Sequence, residues 1–437
     1  MYKPQISATS FKVILIFVLV LIFLIPIMLI KNLVSDRRFY KNNAVSSITE
    51  PLGGKTEIQG MVIGVPYHFY KEVTDKDGNK KSETETRYLI FAPDDYNLDI
   101  NVKPYYLTRG IFKVPVFNGQ VNVNSSFSDF DYSFFDVKKN DIIEKNAVLI
   151  LGFSNTKSLK SQPKLKINGQ ELSVSPIKYD SISPFKTSVY YNLSNLSQLK
   201  NLKLTGSIEF QGGEDIKIRP VAQNNFVKMA SDWKAPSFSG GWLPYERELT
   251  DKGFTASWSI AGLSTVYPKS WHAENTFSPE SFDVSFMIPI DAYKKTERSL
   301  KYALLFLIIP FIALLISELF SSIRIHPIQY CLIGFADVIF YLLLLSISEH
   351  IHFDITYLIC SVSVCLATLF YASSIFKNIK WGAMVSCVQL ISYIFLYGTL
   401  QAEDYALLIG SIGLFVVIVL LMFITRKIDW YELEKKE

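Results

Sequence analysis

Two carboxylates, Asp337 and Glu318, stand inside stretches that are otherwise apolar. If those stretches cross a bilayer, a charge near the centre costs on the order of 3 kcal/mol, so such acids carry protons or ions, or are bonded to a neighbouring helix. Asp337 falls near the middle of its run, and Glu318 lies one turn from the end of its own, within reach of Arg324. A second concentration is Glu349-His350-Ile351-His352 with Asp354, two imidazoles and two carboxylates in one short loop. That donor set suits a metal ion. A polar cluster at a helix end is the commoner use of such residues and the preferred reading.

The remaining candidates are weaker. His68 stands between Tyr67 and Phe69, and His272-Ala273-Glu274 is a His-x-Glu with no Cys-x-x-Cys to complete a zinc site. No His-Glu-x-x-His, Gly-x-Ser-x-Gly or Gly-x-x-x-x-Gly-Lys motif occurs. No nucleophile–base pair is visible, so neither a catalytic residue, a cofactor nor a metal is assigned. The four cysteines, Cys331, Cys360, Cys365 and Cys387, all lie in apolar runs and read as small packing residues.

The elements that must position these residues are long apolar segments. Residues 13–30 form the first, free of charge and near the lower length limit for crossing about 30 Å of hydrocarbon. It has no small-x-small cleavage site, so it reads as an uncut anchor, with Pro26 near its outer end. Five more follow at 302–320, 328–348, 355–376, 381–400 and 407–424. Small residues four apart (Ser361 with Cys365, Gly382 with Ser386, Ala406 with Gly410) suit close helix packing.

Charge in the short loops orients the spans. Arg324, then Lys377 and Lys380, then Arg426, Lys427, Lys435 and Lys436 mark alternate turns as cytoplasmic, while 349–354 and 401–405 carry no Lys or Arg. Both termini are then cytoplasmic and the long intervening segment lies outside. Lys31, Arg37, Arg38 and Lys41 after the first span argue the other way, but charge flanking a long translocated domain is the weaker signal.

That segment has a period of two. Residues 110–117 and 120–127 flank Asn118-Gly119, a strong hairpin signal, and Asn168-Gly169 joins 164–167 to 170–174 in the same way. Residues 74–84 read as a long hairpin tip between 61–65 and 87–92, and further strands are expected at 202–211, 216–221, 254–259 and 282–288. Many short strands punctuated by turns predict sandwich-like packing. Without cysteines the domain folds on its core alone, which its length permits. Acidic and basic residues are interspersed with no basic stripe, which excludes nucleic acid.

Where this domain rejoins the membrane, Pro289 ends a strand and a helical pattern begins at Asp291, with Glu297 and Lys301 at i, i+4 and Arg298 between them. The expectation is a rigid junction there, able to transmit force or conformational change, and a loose joint at 51–54, where Gly53-Gly54 follows Pro51.

The chain resembles the CreD family of bacterial inner-membrane proteins over nearly its whole length. The likeness begins at Leu24-Ile25-Pro26-Ile27-Met28-Leu29-Ile30 and Val65-Pro66-Tyr67, and runs through Arg109-Gly110-Ile111, Pro236-Ser237-Phe238, Gly241, Leu243-Pro244, Arg247-Glu248 and Gly253-Phe254-Thr255-Ala256. It is densest across Pro289, Asp291, Tyr293, Lys295-Thr296-Glu297-Arg298 and Lys301-Tyr302-Ala303. It continues through His326-Pro327-Ile328-Gln329-Tyr330, Tyr341-Leu342-Leu343-Leu344-Leu345, Ser348-Glu349-His350, Thr425-Arg426 and Asp429-Trp430-Tyr431. Glu318, Arg324 and His350 fall in family-like stretches; Asp337 and His352 do not. The resemblance implies a six-span protein linked with cell-envelope integrity and supplies no catalytic residue.

The expected fold is an α+β membrane protein of six transmembrane helices, one N-terminal and five C-terminal, with a large inserted all-β, sandwich-like extracytoplasmic domain. The parts are 1–30, 31–298, 299–424 and 425–437. Functional candidates are Glu318, Arg324, His326, Asp337, Glu349 and His350, with Asp291, Glu297, Arg298 and Lys301 at the junction. The expected partners are membrane lipid and envelope proteins or precursors; oligomeric state is open. The expected role is non-enzymatic; a transporter or exporter accessory using Glu318 and Asp337, or a ligand sensor, is the alternative.

Overall fold

A computed structural model describes residues 8–74, 80–175, 183–193, 200–275, 277, 279–286, 292–321, 323–402 and 405–426, the side chains from Lys12 onward. The chain divides into two compact units, Met1–Asn42 with Ile290–Glu437, and Asn43–Pro289.

The first unit is helical. In chain order the helices are α1 (Ala8–Thr49), α2 (Ala292–Lys301), α3 (Ala303–Ser321), α4 (Pro327–Ser348), α5 (Phe353–Phe376), α6 (Ile379–Gln401) and α7 (Ala406–Thr425). Among the described residues all but α2 are long and apolar enough to cross a membrane, the six expected from hydropathy. Helix α1 does not stop at Ile30. It continues to Thr49 because nothing between Lys31 and Ile48 breaks a helix, and Pro26 lies inside it. Small residues bring the helices together. Gly334 sits against the rings of Phe23 and Phe311, and Ser386 donates to the Cys365 carbonyl at 2.8 Å, joining α6 to α5.

Among the described residues, two eight-stranded sheets make the second unit. In the first the order is Ser237–Gly240, Phe282–Ser285, Asp215–Ile218, Thr56–Thr74, Lys80–Phe91, Ser270–His272; Val148–Phe153 also pairs with Thr56–Thr74 and carries Thr187–Asn192 on its far edge. The 56–74 strand serves three neighbours by shifting register at a bulge between Ile58 and Gly60. Gly60 has φ +99°, and a Cβ there would stand 2.5 Å from Val221. The second sheet runs Glu246–Thr250, Gly253–Ala261, Asn224–Ser231, Asp95–Arg109, Phe112–Asp129, Lys200–Gly213, Lys164–Ile167, Gln170–Glu171.

Alternation along most of the long strands sends one face of both sheets into a continuous core, where Tyr96, Phe117, Phe153, Phe210, Trp258, Phe282 and Phe286 are fully buried. Each such side chain contributes about 1.5–3 kcal/mol relative to exposure. The sandwich-like reading holds. Strands 200–213 and 253–261 enclose the stretches expected from the sequence, whereas Asp215–Ile218 and Phe282–Ser285 are shorter than expected. The hairpin of 56–74 with 80–91 pairs as far as Thr74 with Lys80; its tip, 75–79, lies outside the described residues.

Two local expectations fail for identifiable reasons. Asn118-Gly119 is no turn: one strand, Phe112–Asp129, runs straight through it. Gly119 is needed for space, since a Cβ would stand 2.2 Å from the Phe210 ring on the next strand. The chain reverses instead at Gly110, φ +59°, with Arg109 paired to Phe112. At Asn168-Gly169 both residues do adopt positive φ, and the hairpin forms. Residues 51–54 are not loose either. Glu50–Leu52 is a 3-10 turn, Gly53 and Gly54 donate to the carbonyls of Glu50 and Thr49, and Gly53 packs on Ser158. The strand-to-helix junction at 287–291, including Asp291, lies outside the described residues.

Candidate functional site

The acids singled out by the sequence are the polar centres of the helical unit, and each is already engaged. Glu318, 6 % exposed near the end of α3, accepts from the Lys12 ammonium, from the Ile325 backbone N–H at 2.7 Å and from the Tyr330 hydroxyl at 2.9 Å. Its cation is therefore Lys12 of α1 and not Arg324, which is exposed. Glu349, 7 % exposed just beyond α4, takes both prongs of the Arg37 guanidinium and the Tyr293 hydroxyl at 2.8 Å. Burial pushes its carboxyl up, but the Arg37 and Tyr293 bonds outweigh burial and hold it below the usual carboxylate range.

Lys12 and Arg37 belong to one helix. Twenty-five residues at 1.5 Å each separate them by about 37 Å, close to the thickness of a bilayer including its polar margins. The two ion pairs therefore fasten α1 to the bundle at both rims of the apolar layer.

Asp337, 4 % exposed at the middle of α4, bonds to α6. Its Oδ1 accepts from Gln389 Nε2 and from the Tyr393 hydroxyl, the latter at 3.0 Å. Its Oδ2 and Gln389 Oε1 are both buried without a hydrogen-bond partner. One proton on Oδ2, donated to Oε1, would satisfy both atoms at once and close a two-bond ring between acid and amide. The ring of Phe340 stacks on Tyr393 with centroids 4.4 Å apart, and Tyr357 donates to the Tyr393 carbonyl at 2.7 Å. This arrangement can hold a proton or lock α4 to α6.

The other candidates serve as helix furniture. His326 caps α4: its Nδ1 accepts from the Ile328 N–H at 3.3 Å, while Gln329 returns a bond to its backbone N–H. His350 is exposed. His352 lies 3.5 Å from Asp354, which also faces Lys295 and Gln401. With Glu349 turned to Arg37, the loop 349–354 does not converge, and among the described residues no group of three His, Cys, Asp or Glu could hold a metal. His272 meets the Tyr67 hydroxyl and Glu274 meets Arg87, so both polar groups of the His-x-Glu pair are engaged by neighbouring strand residues.

At the junction, Glu297 pairs with Arg38 at 3.3 Å and not with Lys301, which is exposed. Arg298 donates to the Thr399 carbonyl near the end of α6, where a cation favours the helix dipole. Lys12, Arg37, Gln389 and Tyr393 were missed by sequence reasoning. The 25-residue spacing of the two α1 cations was the one readable signal.

Six apolar helices with a two-sheet domain between the first and the rest, and acids buried against cations and amides in the bundle, define a multi-pass membrane protein. The family described as inner membrane protein CreD matches residues 8–431, and the chain belongs to that family, whose place is the bacterial inner membrane. The inner membrane protein CreD of Escherichia coli (strain K12) is 28% identical over 431 residues, covering 97% of this chain and 94% of that one. Among solved structures, an M1 zinc metallopeptidase from Deinococcus radiodurans shares 10% identity at a TM-score of 0.22, over 45% of this chain and 42% of that one. A two-domain M1 zinc metallopeptidase aligns at 0.20 with 9% identity. Likenesses this slight say nothing of fold or activity.

Proposed function

We propose that this chain is a non-enzymatic inner-membrane protein that contributes to cell-envelope integrity, with the β unit acting outside the cytoplasm in binding or scaffolding. The observation that carries the reading is the use made of the polar groups. Glu318 and Glu349, two of the candidates for chemistry, are spent on fastening α1 to the bundle through Lys12 and Arg37. Family membership supports the setting.

Both termini are assigned to the cytoplasm, and residues 43–289 to the periplasm. The support is the charge alternation at Arg324, Lys377, Lys380 and Arg426. The contrary charges after the first span, Lys31, Arg37, Arg38 and Lys41, carry less weight because they flank a long translocated segment. Reporter fusions after Asn43, Ser321, His352, Asn378 and Glu403 should report outside, inside, outside, inside, outside; a periplasmic signal at Asn378 overturns the topology.

A second reading, a transporter accessory, is favoured by Asp337 alone, buried at mid-helix between α4 and α6. Complementation of a deletion strain under envelope stress separates the two. The scaffolding role tolerates Asp337→Asn and fails when Arg37 or Lys12 is lost. A transporter is inactivated by Asp337→Asn while remaining inserted and folded.

A further inference from the structure

The outer face of the second sheet has a composition that strand stability does not explain. Along 95–109 and 112–129 the inward residues are Leu98, Ile100, Val102, Val121 and Val123, all buried. On the opposite face Asn97 stands across from Asn124, Asp99 from Asn122, and Asn101 from Gln120. Asn and Asp are depleted from strands, because they stiffen nothing and compete for the backbone. A patch of them in the central strands of a sheet sacrifices stability, and such local exceptions mark function. Among the described residues, Asn97, Asn101, Asn122 and Asn124 make no side-chain hydrogen bond within the protein.

The same face is dented. One depression of about 360 Å³ is lined by Asn97, Asn122 and Asn124 and walled by Phe226 and Tyr245, which are 47% and 69% exposed. An adjoining one of about 410 Å³ shares Asp99 and Asn122 with it and continues past Asn101 and Gln120. Together they cross strands 253–261, 224–231, 95–109, 112–129 and 200–213. Five strands about 4.8 Å apart give a path of about 20 Å, open at both ends.

We propose that this face binds an extended, uncharged glycan strand, the polysaccharide of the cell wall; the proposal rests on the binding role assigned above to the β unit. Each amide offers both donors and an acceptor, matching sugar hydroxyls that also do both. Phe226 and Tyr245 supply apolar faces for the C–H side of a sugar ring. The face holds Asp99 beside Lys228 and Glu209 beside Lys103 and Lys160, a net of one positive charge spread along the path, so no concentrated charge selects an ionic ligand. The Trp, Tyr and Arg anchors of protein interfaces are sparse here, Tyr245 apart, and a monosaccharide would fill a fraction of the path.

The test is co-sedimentation of the full-length protein, in lipid nanodiscs, with purified bacterial sacculi. Wild type should pellet with the sacculi and stay bound at high salt. The triple variant Asn97→Ala, Asn122→Ala, Asn124→Ala should bind at least tenfold more weakly while melting no lower than wild type, since Asn is the poorer strand former. Glycan strands freed of peptide by an amidase should compete. The proposal falls if wild type remains in the supernatant, if the triple variant binds as wild type does, or if only peptide-bearing fragments compete. Wild type that rescues the deletion strain without pelleting would overturn the glycan assignment alone. Pelleting without an envelope phenotype in the deletion strain would support the glycan face and remove the envelope role.

Discussion

Arg37 and Glu349 lie 312 residues apart in the chain and meet through two parallel hydrogen bonds, Nε to Oε1 at 2.6 Å and Nη2 to Oε2. A planar guanidinium fits a carboxylate in this way and an ammonium does not. Arg37→Ala should lower stability by about 2 kcal/mol, between the values for an exposed and a buried pair, because Arg37 is 36% exposed although Glu349 is 7% exposed. Arg37→Lys should recover less than half of the loss. Thermal unfolding of the purified protein, run as a double-mutant cycle with Glu349→Gln, measures the coupling; additive effects would show that the pair contributes nothing.

The same pair makes stability fall in acid. Glu349 is held below its ordinary pKa by Arg37 and Tyr293 despite burial. Its contribution is therefore full above the ordinary carboxylate value, about 4.3, and is lost as pH falls through the depressed one. The gap in melting temperature between wild type and Glu349→Gln should be constant from about pH 6 to 8 and close in stronger acid. A gap that widens on acidification contradicts the assignment.

Asp337 and Gln389 make a different bond, and its variants should behave differently. Asp337→Asn keeps a donor and an acceptor in the two-bond ring and should stay within about 1 kcal/mol of wild type. Gln389→Leu strands the acid of Asp337 in the bundle and should cost about 2–3 kcal/mol. Infrared spectra should show a protonated carboxylic carbonyl band at neutral pH that vanishes in Asp337→Asn. Its absence from the wild type would mean that the acid is ionised and that the ring does not form.

Gly119 discriminates a strand from a turn. In a two-residue turn an alanine strains the backbone locally. In this sheet it strikes the Phe210 ring, so Gly119→Ala should destabilise by about 1–3 kcal/mol through overpacking, and Phe210→Leu in the same chain should restore part of the loss. A lack of rescue would point back to a turn at Asn118-Gly119.

Much of the architecture was legible. Six apolar runs and a period-two middle declare themselves locally, because burial in lipid or on one face of a sheet acts on every residue of a stretch. Asn168-Gly169 showed its turn because tolerance of positive φ belongs to those two residues themselves, and both adopt it. Asn118-Gly119 carries the same two letters and was misread, since the Phe210 ring that requires the glycine lies 91 residues further on in a strand brought alongside by the sheet.

The candidate acids were legible as residues and illegible as a site. Hydropathy alone marks Glu318, Asp337 and Glu349 as anomalies, because a lone carboxylate beside an apolar run needs a partner. Which partner depends on how each helix is rotated about its axis and which helix lies next to it. Those quantities come from side-chain packing across the bundle, where Gly334 admits Phe23 and Ser386 reaches Cys365. The sequence by itself determined the number of spans, the β character of the inserted unit and the family. Only the tertiary structure decided that Lys12 and Arg37 fasten α1 at both rims, that Asp337 answers to Gln389, and that the asparagines share one face. Each of those outcomes joins residues that no local pattern connects.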